Sequence, residues 1–189
     1  MCTLQAPFKF IISPANGKQY IDEITVAGKK LMICSSVENH QDVNRIGVVR
    51  QLPKNYKGNV RIGDLVVTQH NVFRLNLSHK GVPLQSDHYI KDDLFSVSPD
   101  LIYLIIRNGE FIATENYVFI EPIQEEKFLL GKVTLENIGV AKIINSEVEN
   151  YGVKVGDRII FRKFANYLFE IFDTKLFLMK NNRVLCKLN

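Results

Sequence analysis

The sequence predicts an all-β protein made of two small β-barrels in tandem, the first with a long loop and an extra insertion. Three observations predict it. Nearly every apolar cluster in the 189 residues is four to six residues long, rich in Val, Ile, Phe and Tyr, and bounded by Gly, Pro, Asn or Asp, as strands and their turns are. Long runs with the apolar period of an amphipathic helix are absent. Finally, "KGNVRIGDLVV" (57–67) returns as "YGVKVGDRIIF" (151–161), so one unit is written twice.

In chain order the candidate strands are "FKFII", "RIGVVRQL", "DLVVT", "NVFRLN", "LIYLII" and "EFIAT", then "YVFIEP", "IGVAKII", "RIIFR", "YLFEIF", "KLFLMK" and "RVLCKL". "SDHYIKDDLFS" (86–96) is the best helical candidate, with Ser86 or Asp87 able to cap a turn or two. The halves align segment by segment: "FIISP" (10–14) with "VFIEP" (118–122), "RIGVVRQL" (45–52) with "NIGVAKII" (137–144), Gly63-Asp64 with Gly156-Asp157, and "YLIIRNGEFIA" (103–113) with "LFLMKNNRVLC" (176–186). Domains are therefore expected at 1–114 and 115–189. Gly in each Gly-Asp pair supplies a positive φ, and Asp bonds nearby amides before the next strand starts. Asn108-Gly109 and Asn181-Asn182 are expected to turn the two closing hairpins with left-handed residues. Between the shared Pro and the shared Gly the first unit has 32 residues (15–46) and the second 16 (123–138). The first also has an insertion at about 76–97, and long loops in small β domains tend to be functional.

Composition excludes several classes. Hydrophobic residues at 46%, with twelve Phe and seven Tyr, are enough for packed cores and too many for a disordered chain. The longest apolar run, "LIYLII" (101–106), is too short to span a bilayer, so no membrane association is expected; "MCTLQAPFK" has no secretion-signal pattern, so an intracellular, cytoplasmic location is expected. Cys2, Cys34 and Cys186 fit neither a disulfide framework nor a metal site and read as free thiols. The formal charge of +4 is spread over both halves without a basic lobe, so nucleic acid is not an expected partner.

The chemistry of catalysis is missing as well. His40, His70, His79 and His88 have no metal-ligand spacing, and "SPANGKQY" lacks the glycine spacing of a phosphate loop and reads as a turn. Asp92-Asp93 reads as a solvated face. No nucleophile motif is present, so no catalytic residue, metal or cofactor is expected.

The ordered set "FKFIISP" or "YVFIEP", a loop, a Gly-initiated strand and "VKVGDRIIF" (153–161) resembles the GroES-type co-chaperonins of the chaperonin-10 family, twice over. The short connections "QLPKNYKGNVRI" and "INSEVENYGVKV" stand where bacterial members have a roof hairpin, and with the extra insertion they are similar to divergent bacteriophage co-chaperonins. The resemblance implies a mobile loop at 15–46 with an apolar tip, Leu31-Met32-Ile33, that contacts a GroEL-type chaperonin; Phe128-Leu129-Leu130 is the counterpart in the second unit. It implies a homo-oligomeric ring in which a terminal strand pairs with a neighbour's first strand, giving Phe8, Phe10, Ile12, Val184 and Cys186 as interface residues. If the chain is phage-encoded, the host cytoplasm is its compartment. Two bland readings stand beside these. "EITVAGKKLMICS" also reads as an ordinary hairpin, Ile24-Thr25-Val26 against Leu31-Met32-Ile33 across an Ala-Gly turn, with its apolar residues in a core, and "KFLLGK" reads equally well as core. A tandem SH3-like or OB-like barrel binding single strands would need basic and aromatic residues interleaved on one face, and "FRKFANYLF" (161–169) is the one such stretch. A non-catalytic phage assembly protein using the barrels for self-association is the third alternative.

Overall fold

The computed structural model describes residues 6–20, 23–26, 29–32, 43–123, 137–162, 167–171 and 174–188. It is mostly β, as the strand-and-turn pattern predicts. The strands are β1 (Phe10–Pro14), β2 (Glu23–Val26), β3 (Lys29–Met32), β4 (Ile46–Gln51), β5 (Leu65–Thr68), β6 (Asn76–Leu77), β7 (Pro83–Leu84), β8 (Tyr89–Lys91), β9 (Leu94–Val97), β10 (Ile102–Arg107) and β11 (Glu110–Ala113). They continue with β12 (Tyr117–Pro122), β13 (Asn137–Ile143), helix α1 (Ser146–Asn150), β14 (Arg158–Phe161), β15 (Tyr167–Ile171), β16 (Thr174–Lys180) and β17 (Val184–Leu188). The chain divides into two compact units, Met1–Gly109 and Glu110–Asn189, so the division falls in the β10–β11 turn rather than after residue 114.

One sheet runs β11-β10-β5-β4-β1-β9-β8 and a second β15-β16-β12-β13-β14-β17. The two share a frame, register by register. Ile12 faces Val49 and Pro14 faces Gly47; Ile120 faces Ala141 and Pro122 faces Gly139. Both ladders slip one residue at the same point, leaving Arg50 and Lys142 opposite nothing. The unpaired residues even reach the same neighbour, since Arg50 Nε donates to Ser13 Oγ at 2.8 Å and Lys142 Nζ lies 2.7 Å from Glu121 Oε2. Each Gly-Asp turn docks beside that bulge. Val49 N donates to the Asp64 carbonyl and Gly63 N to the Val49 carbonyl, and Ala141, Asp157 and Gly156 repeat both bonds.

Gly47 and Gly139 are where the frame is tightest. A Cβ on Gly139 would stand 2.8 Å from the Glu121 carbonyl oxygen and 3.2 Å from the Phe161 ring; one on Gly47 would stand 3.0 Å from the Phe73 ring and 3.2 Å from the Ser13 carbonyl oxygen. The ring over each glycine comes from a different place. In the second unit Phe161 is the last residue of β14, whereas the corresponding residue of β5 is Thr68. Phe73 fills that space from the segment after β5. "NVFRLN" is accordingly a short 3-10 turn (His70–Val72) followed by Phe73, not the strand expected, because Val72 and Phe73 are buried as plugs. Phe73 meets Phe95 edge-on at 4.9 Å, as Phe161 meets Phe177 at 6.3 Å.

Three further expectations are corrected. "SDHYIKDDLFS" is no helix: Asp92 (φ 49°) and Asp93 (φ 56°) make a left-handed turn between β8 and β9, and Phe95 and Val97 alternate into the core. The α-helix among the described residues is Ser146–Asn150, capped by Asn145, whose side-chain oxygen accepts from Val148 N at 3.1 Å. "LFLMKNNRVLC" is no hairpin either. β16 pairs with β12 and β17 pairs with β14, joined by a 3-10 turn at Asn181–Arg183 with no left-handed residue. Its true counterpart is "FSVSPDLIYLII" (95–106), where Pro99–Leu101 forms the same turn between β9 and β10. Asn108-Gly109 does take the left-handed turn expected, with φ of 53° and 81°. Of residues 76–97, β8 and β9 belong to the main sheet, and β6–β7 alone forms a separate hairpin.

Overpacking a core costs about 1–3 kcal/mol. Gly139→Ala, which drives a methyl group into a carbonyl, is expected to cost near the upper end of that range, and Gly47→Ala, against a movable ring, near the lower. Urea unfolding midpoints of the two variants check the order.

Candidate functional site: the stem of the long arm and the open strand edge

The long arm leaves β1 through a 3-10 turn, Ala15–Gly17, in which Asn16 and Gly17 are left-handed at φ 59° and 67°. The turn expected of "SPANGKQY" is there. Its stem is then pinned shut. Tyr20 bridges to Val43, Asn44 N donates to the Gln19 carbonyl at 2.9 Å, and Asn44 Nδ2 reaches the carbonyls of Ala15 and Lys18 at 3.2 and 2.8 Å. Farther out, β2 and β3 form their own two-stranded sheet, with Ile24 facing Leu31 and Glu23 facing Met32. Leu31 and Met32 are thus backbone-paired in a two-stranded sheet of their own, with Ile24, Thr25 and Val26 facing Leu31, Lys30 and Lys29 rather than Leu31 to Ile33. Ile33, Phe128, Leu129 and Leu130 lie outside the described residues, as do Cys2, Cys34 and His40.

Sequence reasoning did not single out the latch itself. Asn44 was hidden because its partners are backbone carbonyls 26 and 29 residues away. A polar residue beside the Gly-initiated strand is the only signal it leaves.

The Gly-Asp turns carry matched electrostatics. Asp64 Oδ2 accepts from Arg61 N at 2.7 Å and Asp157 Oδ2 from Lys154 N at 2.6 Å, both three residues back. Arg107 on β10 then grips Asp64 with two bonds, Nε to Oδ1 at 2.9 Å and Nη2 to Oδ2 at 2.6 Å, while Lys187 on β17 reaches Asp157 at 2.8 Å. Burial pushes the Asp64 carboxyl up, but bonds from Arg107 and the Arg61 amide outweigh it and hold the group below its usual range. At Asp157 the bond from Lys187 leads, the Lys154 amide adds to it, and the carboxyl is lowered too.

In the second unit α1 is fixed by a buried amide. Asn145 Nδ2 donates to the carbonyls of Thr114 and Tyr117 and to Asn181 Oδ1 at 2.7–2.9 Å, and Asn181 donates to the Glu115 carbonyl and Glu147 Oε2. Asn181, expected to take a left-handed hairpin turn, instead opens a 3-10 turn and ties the start of β12 to the helix α1. No strand lies in 52–64 or 144–157.

The expected interface residues separate into two groups. Phe10 and Ile12 are fully buried in the first core, on a strand paired with β9 on one side and β4 on the other, so their side chains cannot reach a neighbouring chain. Phe8, 81% exposed, can. Val184 is half-buried against the second core, and Cys186 is exposed on β17, the edge strand of the second sheet. In "FRKFANYLF", Phe161 and Phe169 are core residues, so the two ends of that aromatic series are closed to a base.

Residues 103–188 match the family described as "Chaperonin 10 Kd subunit". The chain is 35% identical over 78 residues to the co-chaperonin GroES of Pseudothermotoga lettingae, covering 38% of this chain and 88% of that one. It is 31% identical to the co-chaperonin GroES of Thermotoga neapolitana and 32% to that of Kosmotoga olearia, covering 38% and 37% of this chain and 87% and 86% of theirs. The chain belongs to the chaperonin 10 family. Co-chaperonins of this family are not enzymes, in keeping with the missing catalytic motifs. Among the described residues no group of His, Cys, Asp or Glu could hold a metal ion, and no helix is long and apolar enough to cross a membrane.

Both aspartates have folded pKa values below their unfolded ones, so their stabilisation is complete above the unfolded value of about 3.9 and disappears as pH falls through the lowered one. Breaking a buried pair costs about 3–5 kcal/mol. With Arg107 still 22% exposed, Asp64→Ala is expected to cost this co-chaperonin about 2–3 kcal/mol at pH 7. Asp157→Ala, at the more exposed pair, should cost less. Urea titrations at pH 7 and pH 3 check both, the gap to the unaltered chain narrowing at pH 3.

Proposed function

We propose that this chain is a co-chaperonin in tandem form, with two GroES-like units, that caps a GroEL-type chaperonin ring and assists the ATP-dependent folding carried out by that partner. The observation that carries the reading is the chaperonin 10 match over 103–188, supported by a first unit whose ladders repeat those of the second, residue for residue. The arm at 15–46 leaves the first frame between the strands that flank the family's chaperonin-binding loop, and Leu31, Met32 and Ile33 are its contact residues; Phe128, Leu129 and Leu130 occupy the same place in the second. The missing strands at 52–64 and 144–157 support a divergent, phage-type member. Its compartment is then the cytoplasm, the host's if the gene is a phage's.

Energetics favour a reversible lid. Burying a large apolar side chain is worth about 1.5–3 kcal/mol, and ordering a segment on binding removes about 2–5 kcal/mol. One loop holds weakly. A homo-oligomeric ring displaying several loops raises the strength by about 10²–10⁴ through avidity. The exposed edge of β17 supports such a ring, closed by the segment around Phe8 of a neighbouring copy.

The chain is expected to co-elute with a purified GroEL-type chaperonin in the presence of ADP, and to lose that association by at least about tenfold when Leu31, Met32 and Ile33 are changed to Ser. No association at any concentration up to tens of micromolar, on the order of ordinary weak binding, would sink the proposal. Native mass spectrometry of the free chain reads the ring directly, and a monomer throughout would remove that part.

A further inference from the structure

Among the described residues, the β6–β7 hairpin carries apolar side chains on both of its faces. Asn76 pairs with Leu84 and Leu77 with Pro83, so Val82 and Leu84 share one face while Leu77 and Pro83 share the other. Leu77, Val82 and Leu84 are 43%, 55% and 50% exposed. Strands of two residues give such a hairpin no core of its own, and isolated hairpins are marginal in water even when longer. Yet this one is shaped. Ser78 N donates to the Val82 carbonyl, Gly81 N to the Ser78 carbonyl and Val82 N to Ser78 Oγ, at 2.9, 2.9 and 3.0 Å. Gly81, at φ 73°, closes the three-residue connection His79-Lys80-Gly81. A shaped, basic-tipped projection with apolar surface on both sides is what an apolar groove on another protein receives.

Its root names the partner. Leu75, just before β6, donates its N–H to Tyr20 Oη at 3.0 Å, and Gln85, just after β7, accepts from Gln19 Nε2 at 2.9 Å. Gln19 and Tyr20 are the same residues that pin the stem of the long arm to Asn44 and Val43. Both segments are therefore tied at one root, which sets the hairpin beside the stem of the arm.

We propose that the β6–β7 hairpin, through Leu77, Val82 and Leu84, is a second contact of the first unit with the chaperonin that the arm engages; this rests on the co-chaperonin reading given above. The second unit has no such hairpin among its described residues, so the two units grip unequally. Each ring position then holds by two adjoining elements, and the hairpin, already shaped, adds contact with little ordering cost.

The test compares the full chain with three variants for binding to a purified GroEL-type chaperonin in ADP: Leu77→Ser/Val82→Ser/Leu84→Ser in the hairpin, Leu31→Ser/Met32→Ser/Ile33→Ser in the arm, and Ile62→Ser as an exposed control on the Gly-Asp turn. The hairpin variant is expected to bind at least about tenfold more weakly with unchanged circular dichroism and unfolding midpoint, and the control to bind normally. Normal binding by the hairpin variant when the arm variant has lost it overturns this inference and leaves the function standing. No binding by the unaltered chain overturns both. If the triple variant misfolds, amide exchange on the unaltered complex decides: slowed exchange at 77–84 supports the contact, and unchanged exchange there with slowing at 23–32 refutes it.

Discussion

Everything in either unit depends on one close approach, that of the Gly-initiated strand to the strand before it. Where Gly139 crosses Ile120 there is no room for a side chain, and where Gly47 crosses Ile12 a Cβ would press on its neighbours. Three residues beyond that approach the paired strands slip by a residue at Arg50 and Lys142, and a bulge of this kind sharpens the local twist. The Gly-Asp turn then folds back onto Val49 or Ala141 and closes the corner with two backbone bonds. Glycine at one corner and Gly-Asp at the other are thus two ends of one joint. The aspartate completes it by bonding the amide three residues back and a cation from the facing strand.

With the joint built, the loops between the strands are free to differ, and the contacts proposed above are placed there. The first unit has two projections on a common root, tied by Gln19, Tyr20 and Asn44. The second has a short capped helix anchored by Asn145. Neither arrangement disturbs the ladders beneath it. A rigid frame with variable loops is the general solution for placing contact residues, because the frame supplies position and the loops supply identity.

Much of the frame was legible because its constraints are local. The period of apolar residues marks β1, β4, β5, β12, β13 and β14, and Gly-Asp marks the corner, since φ above zero and a short acceptor side chain are needed there. What was not legible depended on long-range partners. "SDHYIKDDLFS" looks weakly helical in isolation, and only the sheet that takes Phe95 and Val97 makes it a hairpin. "LFLMKNNRVLC" looks like a hairpin because Asn-Asn suits a tight turn, but β12 and β14 compete for its two halves and separate them. The left-handed geometry expected of Asn181 failed for the same reason: its side chain answers to Glu115 and Glu147, far along the chain. Of the arm, the hairpin at Leu31 and Met32 was visible and the latch at its stem was not.

Phe73 shows how differently the two units fill the same place in the joint. With Thr68 in place of the ring that Phe161 supplies, the space over Gly47 would be a cavity, and an empty Phe-sized site costs about 3–5 kcal/mol. The chain restores the ring from a segment five residues later, and that detour carries the backbone outward into Leu75 and the β6–β7 hairpin. The plug and the projection are therefore one event in the chain's path. A unit with phenylalanine at the end of β5 would have no packing reason to leave the sheet there, and the second unit, which has Phe161, makes no such excursion among its described residues.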